Sequence, residues 1–129
     1  MTSPKARPLV LLADDDTDMR ELIAARLAKE GMRVVELADG FALREYLELC
    51  RVGGEVPQPD VVVTDVRMPK ETGPHALAQG MGQAPFVVIT SCLDSETRSS
   101  AEQAGASAVF EKPFALKDLV VAIRRATHS

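Results

Sequence analysis

Val61-Val62-Val63 is an apolar run continued by Thr64, ended by Asp65 and followed by Val66-Arg67-Met68-Pro69. A run this short without polar alternation reads as a strand covered on both faces, as interior parallel strands are. Other stretches repeat the pattern. Leu9 to Ala13 empties into Asp14-Asp15-Asp16, Phe86 to Ile89 ends in Thr90-Ser91, and Ala108 to Phe110 leads to Glu111-Lys112-Pro113-Phe114. Carboxylates, a hydroxyl and an amine therefore stand at the C-terminal ends of predicted strands. In an open parallel sheet those ends line one crevice, where such sheets place their sites.

Between the strands the apolar period changes. From about Thr17 to Glu30, Met19, Leu22, Ile23 and Leu27 recur at helical spacing, and Gly31 supplies a stop. Arg33 to Leu37 reads as a further strand, less apolar and nearer an edge. Leu43, Tyr46, Leu47 and Cys50 form the inner stripe of a second helix. Gly53 to Pro59 reads as a loop. Pro74 to Gln79 makes barely two turns before Gly80-Met81-Gly82. Ser95 to Ala104 is a polar, weakly amphipathic helix stopped at Gly105. Leu116, Leu119, Val120 and Ile123 mark a last helix running to about Ala126. Alternating strands and helices with right-handed crossovers predict a doubly wound, three-layer α/β domain with a five-stranded parallel sheet.

The chain has 129 residues, which suits a single domain over 1–129 with a core at about 8–126. With 46% hydrophobic residues it can bury a core. The net charge is -4 and its 15 basic residues are scattered, so no direct nucleic-acid partner is expected. The two cysteines, Cys50 and Cys92, have no metal-binding spacing and read as reduced thiols. The N-terminus lacks the apolar stretch of a signal peptide, and no run is long enough to cross a membrane, so a cytoplasmic protein is expected. His75, His128, Met68 and Met81 have no catalytic context.

Clustered carboxylates repel and favour a cation, and a hard divalent ion holding a phosphoryl group on an aspartate is the chemistry suggested. Each residue has a plainer reading alone: Asp65 as a turn or helix cap, Thr90 as a strand-end hydroxyl satisfying backbone, Lys112 as a solvated surface lysine. Taken jointly, at matched strand ends, accident is hard to sustain. Asp16 reads as a capping acid for the first helix.

The motifs Leu11-Leu12-Ala13-Asp14-Asp15-Asp16, Val63-Thr64-Asp65-Val66-Arg67-Met68-Pro69, Val88-Ile89-Thr90-Ser91, Gly105-Ala106-Ser107 and Glu111-Lys112-Pro113-Phe114 occur in order. From about residue 8 to 126 the chain resembles the receiver domain of bacterial two-component response regulators. The resemblance implies a flavodoxin-like sheet of order 2-1-3-4-5. It implies that Asp65 accepts the phosphoryl group, that Asp15 is a direct ligand of Mg²⁺ with Asp14 often acting through water, and that Asp65 and the backbone carbonyl of Arg67 complete the metal set. It also implies that Thr90 and Lys112 bind the attached phosphoryl group, with a cis Lys112–Pro113 bond aiming the lysine. The partners implied are a histidine kinase or histidine phosphotransfer protein and an unknown downstream protein.

Two departures stand out. The family's aromatic three residues before the lysine is replaced by Val109 and displaced to Phe110, which faces the other side of the sheet. The segment between Asp65 and Thr90 also leaves room for only a short helix. No output domain follows Ser129 in this sequence, so a stand-alone receiver or a phosphorelay intermediate is expected, and a piece of a larger regulator would read the same way. The alternative is a small Mg²⁺-dependent phosphohydrolase of the haloacid-dehalogenase type with Asp14 as nucleophile and Asp16 as acid/base. The threonine expected two places after that acid is absent. A receiver-like module that binds partners unphosphorylated is a third reading, against which the intact acidic and lysine set argues.

Overall fold

Apolar runs too short to be helices pair with one another in register. β1 (Leu9–Ala13), β2 (Arg33–Leu37), β3 (Val61–Asp65), β4 (Phe86–Thr90) and β5 (Ala108–Glu111) form one parallel sheet in the order β2-β1-β3-β4-β5. The computed structural model describes residues 7–53, 55–66 and 84–128. Within them lie the helices α1 (Thr17–Lys29), α2 (Gly40–Arg51), α3 (Ser95–Gln103) and α4 (Leu116–Thr127). The expected turn of helix over Pro74–Gln79, together with Arg67, Met68, His75 and Met81, falls outside the described residues.

β1, β3 and β4 are buried along their whole length, as unbroken apolar runs require. β2 mixes exposed and half-buried residues at one edge, and β5 closes the other. Strand alternation divides the core into two layers. Val10, Leu12, Val63 and Ile89 face α1 and α4, meeting Ile23, Leu27, Leu119 and Ile123. Leu11, Ala13, Val62 and Val88 face the opposite side, where Leu43, Leu47 and Ala101 meet them. Fully burying a side chain such as Ile23 or Leu47 contributes about 1.5–3 kcal/mol.

Leu22 corrects one expectation. It is one of the apolar positions that recur at helical spacing along α1, yet it is 55% exposed. The helix sits with Ile23 and Leu27 against the sheet, which turns Leu22 outward by the 100° that separates adjacent helical residues.

Local chemistry sets the helix ends. Asp16, Asp39 and Asp94 each accept a hydrogen bond from a backbone N–H three residues on, from Met19 (3.1 Å), Ala42 (2.8 Å) and Thr97 (2.7 Å). Asp16 is therefore the cap of α1, as its position suggested. Gly31 and Gly105, with φ of +89° and +93°, take the left-handed turn after α1 and α3 that a β-carbon would oppose. Before β3, Asp60 accepts a hydrogen bond from the Leu9 N–H at 2.7 Å and donates its own N–H to the Leu9 carbonyl at 2.8 Å. β1 and β3 therefore start level.

Candidate functional site at the C-terminal edge of the sheet

The register aligns the strand ends. Ala13 pairs with Thr64, Asp65 with Ile89 and Thr90 with Glu111. Asp14, Asp65, Thr90 and Lys112 thus emerge along one edge of three inner strands and β5. Asp14 is fully buried, Asp65 is 6% exposed and Asp15 is exposed. One carboxylate oxygen from each of these three aspartates lies within 4.8 Å of the others.

Lys112 joins two of them. Its Nζ donates to Asp14 Oδ2 and to Asp65 Oδ2, both at 2.8 Å, and its side chain is 12% exposed. The Lys112 backbone N–H donates to the Thr90 carbonyl at 2.7 Å, and the Lys112–Pro113 peptide is cis. Asp14 is held on every side. Its N–H donates to the Leu37 carbonyl (3.1 Å), its Oδ1 accepts from the Asp16 N–H (2.9 Å), and its carbonyl accepts from Arg20 Nη1 (2.9 Å).

Burial pushes the Asp14 carboxyl above its ordinary value, although Lys112 and the Asp16 N–H pull the other way. Burial works to lower the Lys112 pKa, and the hydrogen bonds and charges of Asp14 and Asp65 outweigh it, so that Lys112 titrates above its usual value and stays charged at neutral pH. Three carboxylates against one ammonium leave two negative charges to be offset. A hard divalent cation with oxygen ligands and several waters fits this donor set.

The raised Asp14 carboxyl makes stability depend on pH. A carboxyl that titrates higher in the folded chain than in the unfolded one favours the fold while it is protonated. That contribution is present below the unfolded value of 3.8 and is lost as pH rises through the folded value. Without divalent ions, Asp14→Asn is therefore expected to be more stable than the parent at pH 7, with the advantage gone near pH 4. Urea denaturation at the two pH values measures it. An equal or lower midpoint for the variant at pH 7 would show that Lys112 fully compensates the buried charge.

Thr90 is buried, and its hydroxyl is engaged in the loop that follows β4. It donates to the Cys92 carbonyl and accepts from the Cys92 N–H, each at 3.2 Å. Val109 packs with the α2-side core, whereas Phe110 points to the other face and meets Phe114 with ring centroids 5.5 Å apart and planes tilted by 39°. The alternation read from sequence holds: no aromatic ring of β5 lies on the Thr90 face.

Two contacts escaped sequence reasoning. Glu111, paired with Thr90 across β4 and β5, accepts the Leu93 N–H at 3.0 Å and ties the post-β4 loop to β5. Arg20 reaches back from the first turn of α1 to the Asp14 carbonyl and also donates from Nε to Glu36 Oε1 at 3.2 Å. The one signal for Arg20 is a cation near the start of α1, where the helix dipole mildly disfavours it.

A sequence profile described as the response regulator receiver domain matches residues 10–124. The chain belongs to the response regulator receiver family. It is 37% identical over 120 residues to the transcriptional regulatory protein PdtaR of Mycobacterium tuberculosis, covering 91% of this chain and 55% of that protein. The chain thus spans about half the length of the curated relatives it matches, such as the 43% of the probable transcriptional regulator ycf27 of Guillardia theta, at 32% identity over 118 residues and 89% of this chain. In fold it superimposes on a CheY-like response regulator receiver domain protein from Methanospirillum hungatei JF-1 with a TM-score of 0.81 at 21% identity, covering 92% of each chain.

As a receiver domain the chain has a signalling role, and the phosphohydrolase alternative finds no support. Asp16, its required acid/base, caps α1, and both oxygens of Asp14 already accept hydrogen bonds. No helix among the described residues is long and apolar enough to cross a membrane.

Proposed function

We propose that this receiver, a single domain with its core at about 8–126, takes a phosphoryl group from a phosphohistidine onto Asp65. The donor is a histidine kinase or histidine phosphotransfer protein of the cytoplasm. A carboxylate oxygen of Asp65 bonds to phosphorus as the phosphorus–nitrogen bond breaks, and the electron pair leaves with the imidazole. The observation that carries this reading is Lys112 Nζ at 2.8 Å from both Asp14 and Asp65. An ammonium held there meets the negative charge of the incoming phosphoryl oxygens with little reorganisation.

Asp14, Asp15, Asp65 and the carbonyl of Arg67 would hold Mg²⁺. When bound, the ion neutralises charge on the phosphoryl oxygens. Asp14, with both carboxylate oxygens already hydrogen-bonded, suits a ligand that acts through water, and exposed Asp15 suits direct contact. Thr90 binds the attached phosphoryl group by giving up its bond to the Cys92 carbonyl. Ser91 to Asp94 must then shift, because the loop is covalently continuous with Thr90. Val109 is stiff and short and moves little, so the loop carries the altered surface to a downstream protein.

Incubation with acetyl phosphate and Mg²⁺, reductive trapping and peptide mapping test this. One phosphoryl group on Asp65 is expected. Modification at Asp14, or steady turnover of a phosphomonoester, would overturn it.

A further inference from the structure

Arg20 lies in the first turn of α1, where the helix dipole disfavours a cation. Its side chain is nonetheless only 15% exposed. Two nitrogens of its guanidinium are committed in different directions, Nη1 to the Asp14 carbonyl at 2.9 Å and Nε to Glu36 Oε1 at 3.2 Å. The guanidinium is rigid and planar, so these two contacts fix its orientation.

The Asp14 carbonyl belongs to the peptide that joins Asp14 to Asp15. That peptide is planar, so holding its oxygen sets the direction in which the Asp15 α-carbon leaves β1. Asp14 needs little help, since its carboxylate is already tied by the Asp16 N–H and Lys112. Asp15 is different: among the described residues, no hydrogen bond engages its side chain, yet its carboxylate lies within 4.8 Å of those of Asp14 and Asp65. Lys112 offsets part of the like-charge repulsion. Among the described residues, the backbone on either side of Asp15 is fixed by the Asp16 N–H bond to Asp14 Oδ1 and by the Arg20 clamp on the Asp14 carbonyl.

We propose that Arg20 is a positioning residue that, braced by Glu36, orients the Asp14–Asp15 peptide and so presents the Asp15 carboxylate to a divalent cation. The inference rests on the reading that Asp14, Asp15 and Asp65 hold Mg²⁺. Arg20 touches neither the ion nor the phosphoryl group. It lowers the cost of bringing Asp15 into the cluster.

The test separates geometry from charge. Lysine keeps the positive charge but offers a freely rotating point donor in place of a rigid plane, so it does not fix the direction of the Asp14 carbonyl as the guanidinium does. Mg²⁺ titrations followed by amide chemical shifts compare the wild type, Arg20→Lys, Arg20→Ala and Glu36→Gln. Arg20→Lys and Arg20→Ala are both expected to weaken Mg²⁺ binding by about tenfold, in the range seen when outer partners of metal ligands are lost. Glu36→Gln keeps an acceptor for Nε and is expected to retain wild-type affinity. Because the defect lies in binding the ion, saturating Mg²⁺ restores the acetyl phosphate labelling rate of Arg20→Lys to the wild-type value.

Wild-type affinity in Arg20→Lys with weak binding in Arg20→Ala would make the effect one of charge and overturn the proposal. So would a labelling rate that stays low at saturating Mg²⁺, or weak binding in Glu36→Gln. Absence of Mg²⁺ binding in the wild type would instead overturn the metal-site reading, and this inference with it.

Discussion

Asp65→Asn is expected to end phosphoryl acceptance completely while the fold persists. Asparagine has the shape of aspartate and keeps a carbonyl oxygen that can accept from Lys112 Nζ, which stands 2.8 Å from Asp65 Oδ2. It lacks the anionic oxygen that attacks phosphorus. The site sits at the end of β3, whose four preceding residues are fully buried, so the strand is held by its core rather than by this side chain. Mass spectrometry after acetyl phosphate and Mg²⁺ treatment should detect no added group, with amide spectra close to the parent. Undiminished labelling of the variant would move the acceptor elsewhere in the cluster.

Lys112→Met is the second large change, and it acts on both stability and chemistry. Methionine keeps the length of the side chain and removes its charge. Asp14, with no exposed surface, then loses the only cation among the described residues that bonds its carboxylate. Removing one partner of a buried ion pair typically costs about 3–5 kcal/mol. Because Asp15 opens the site to water and Asp14 can take up a proton, about 2 kcal/mol is the expected loss here. The sign with pH follows from Asp14, whose carboxyl is already raised by burial and rises further without Lys112. The deficit is therefore largest at neutral pH and shrinks as pH falls towards 3.8, where the unfolded carboxyl also protonates.

For the chemistry, loss of one preorganised donor to a developing anion costs roughly 10²–10³ in rate. Urea midpoints at pH 4 and 7, with acetyl phosphate labelling rates, measure both effects. A variant as stable as the parent at pH 7 and labelled at the parental rate would remove Lys112 from the mechanism. A labelling loss without a stability loss would show that water solvates Asp14 adequately once the lysine is gone.

Much of this architecture is legible in the chain because it rests on local rules. Runs such as Leu9–Ala13 and Phe86–Ile89 read as covered strands because they are apolar without alternation and too short for a helix. Asp16 caps α1 because a carboxylate just before a helical period has an N–H within reach. Val109 and Phe110 take opposite faces because the strand period is two. Once five strands alternate with helices, Asp14, Asp65, Thr90 and Lys112 must gather at one edge, since each closes or follows a parallel strand.

Other features are set by distance in space, which sequence spacing does not encode. The helical period admits both Leu22 and Ile23 on a buried stripe, and only the seating of α1 on the sheet turns Leu22 out. Thr90 bonds Cys92 rather than any group across the site, a choice made by the turn after β4. Glu111 reaches the Leu93 N–H because β4 and β5 are neighbours, although 18 positions separate the two residues in the chain. Arg20 meets Glu36 because β2 lies beside β1. Sequence alone determined which chemical groups this protein brings to the edge of its sheet. Only the packed structure decided which cations offset them, because ion pairing falls off over a few ångströms and those separations exist only after strands distant in sequence lie side by side.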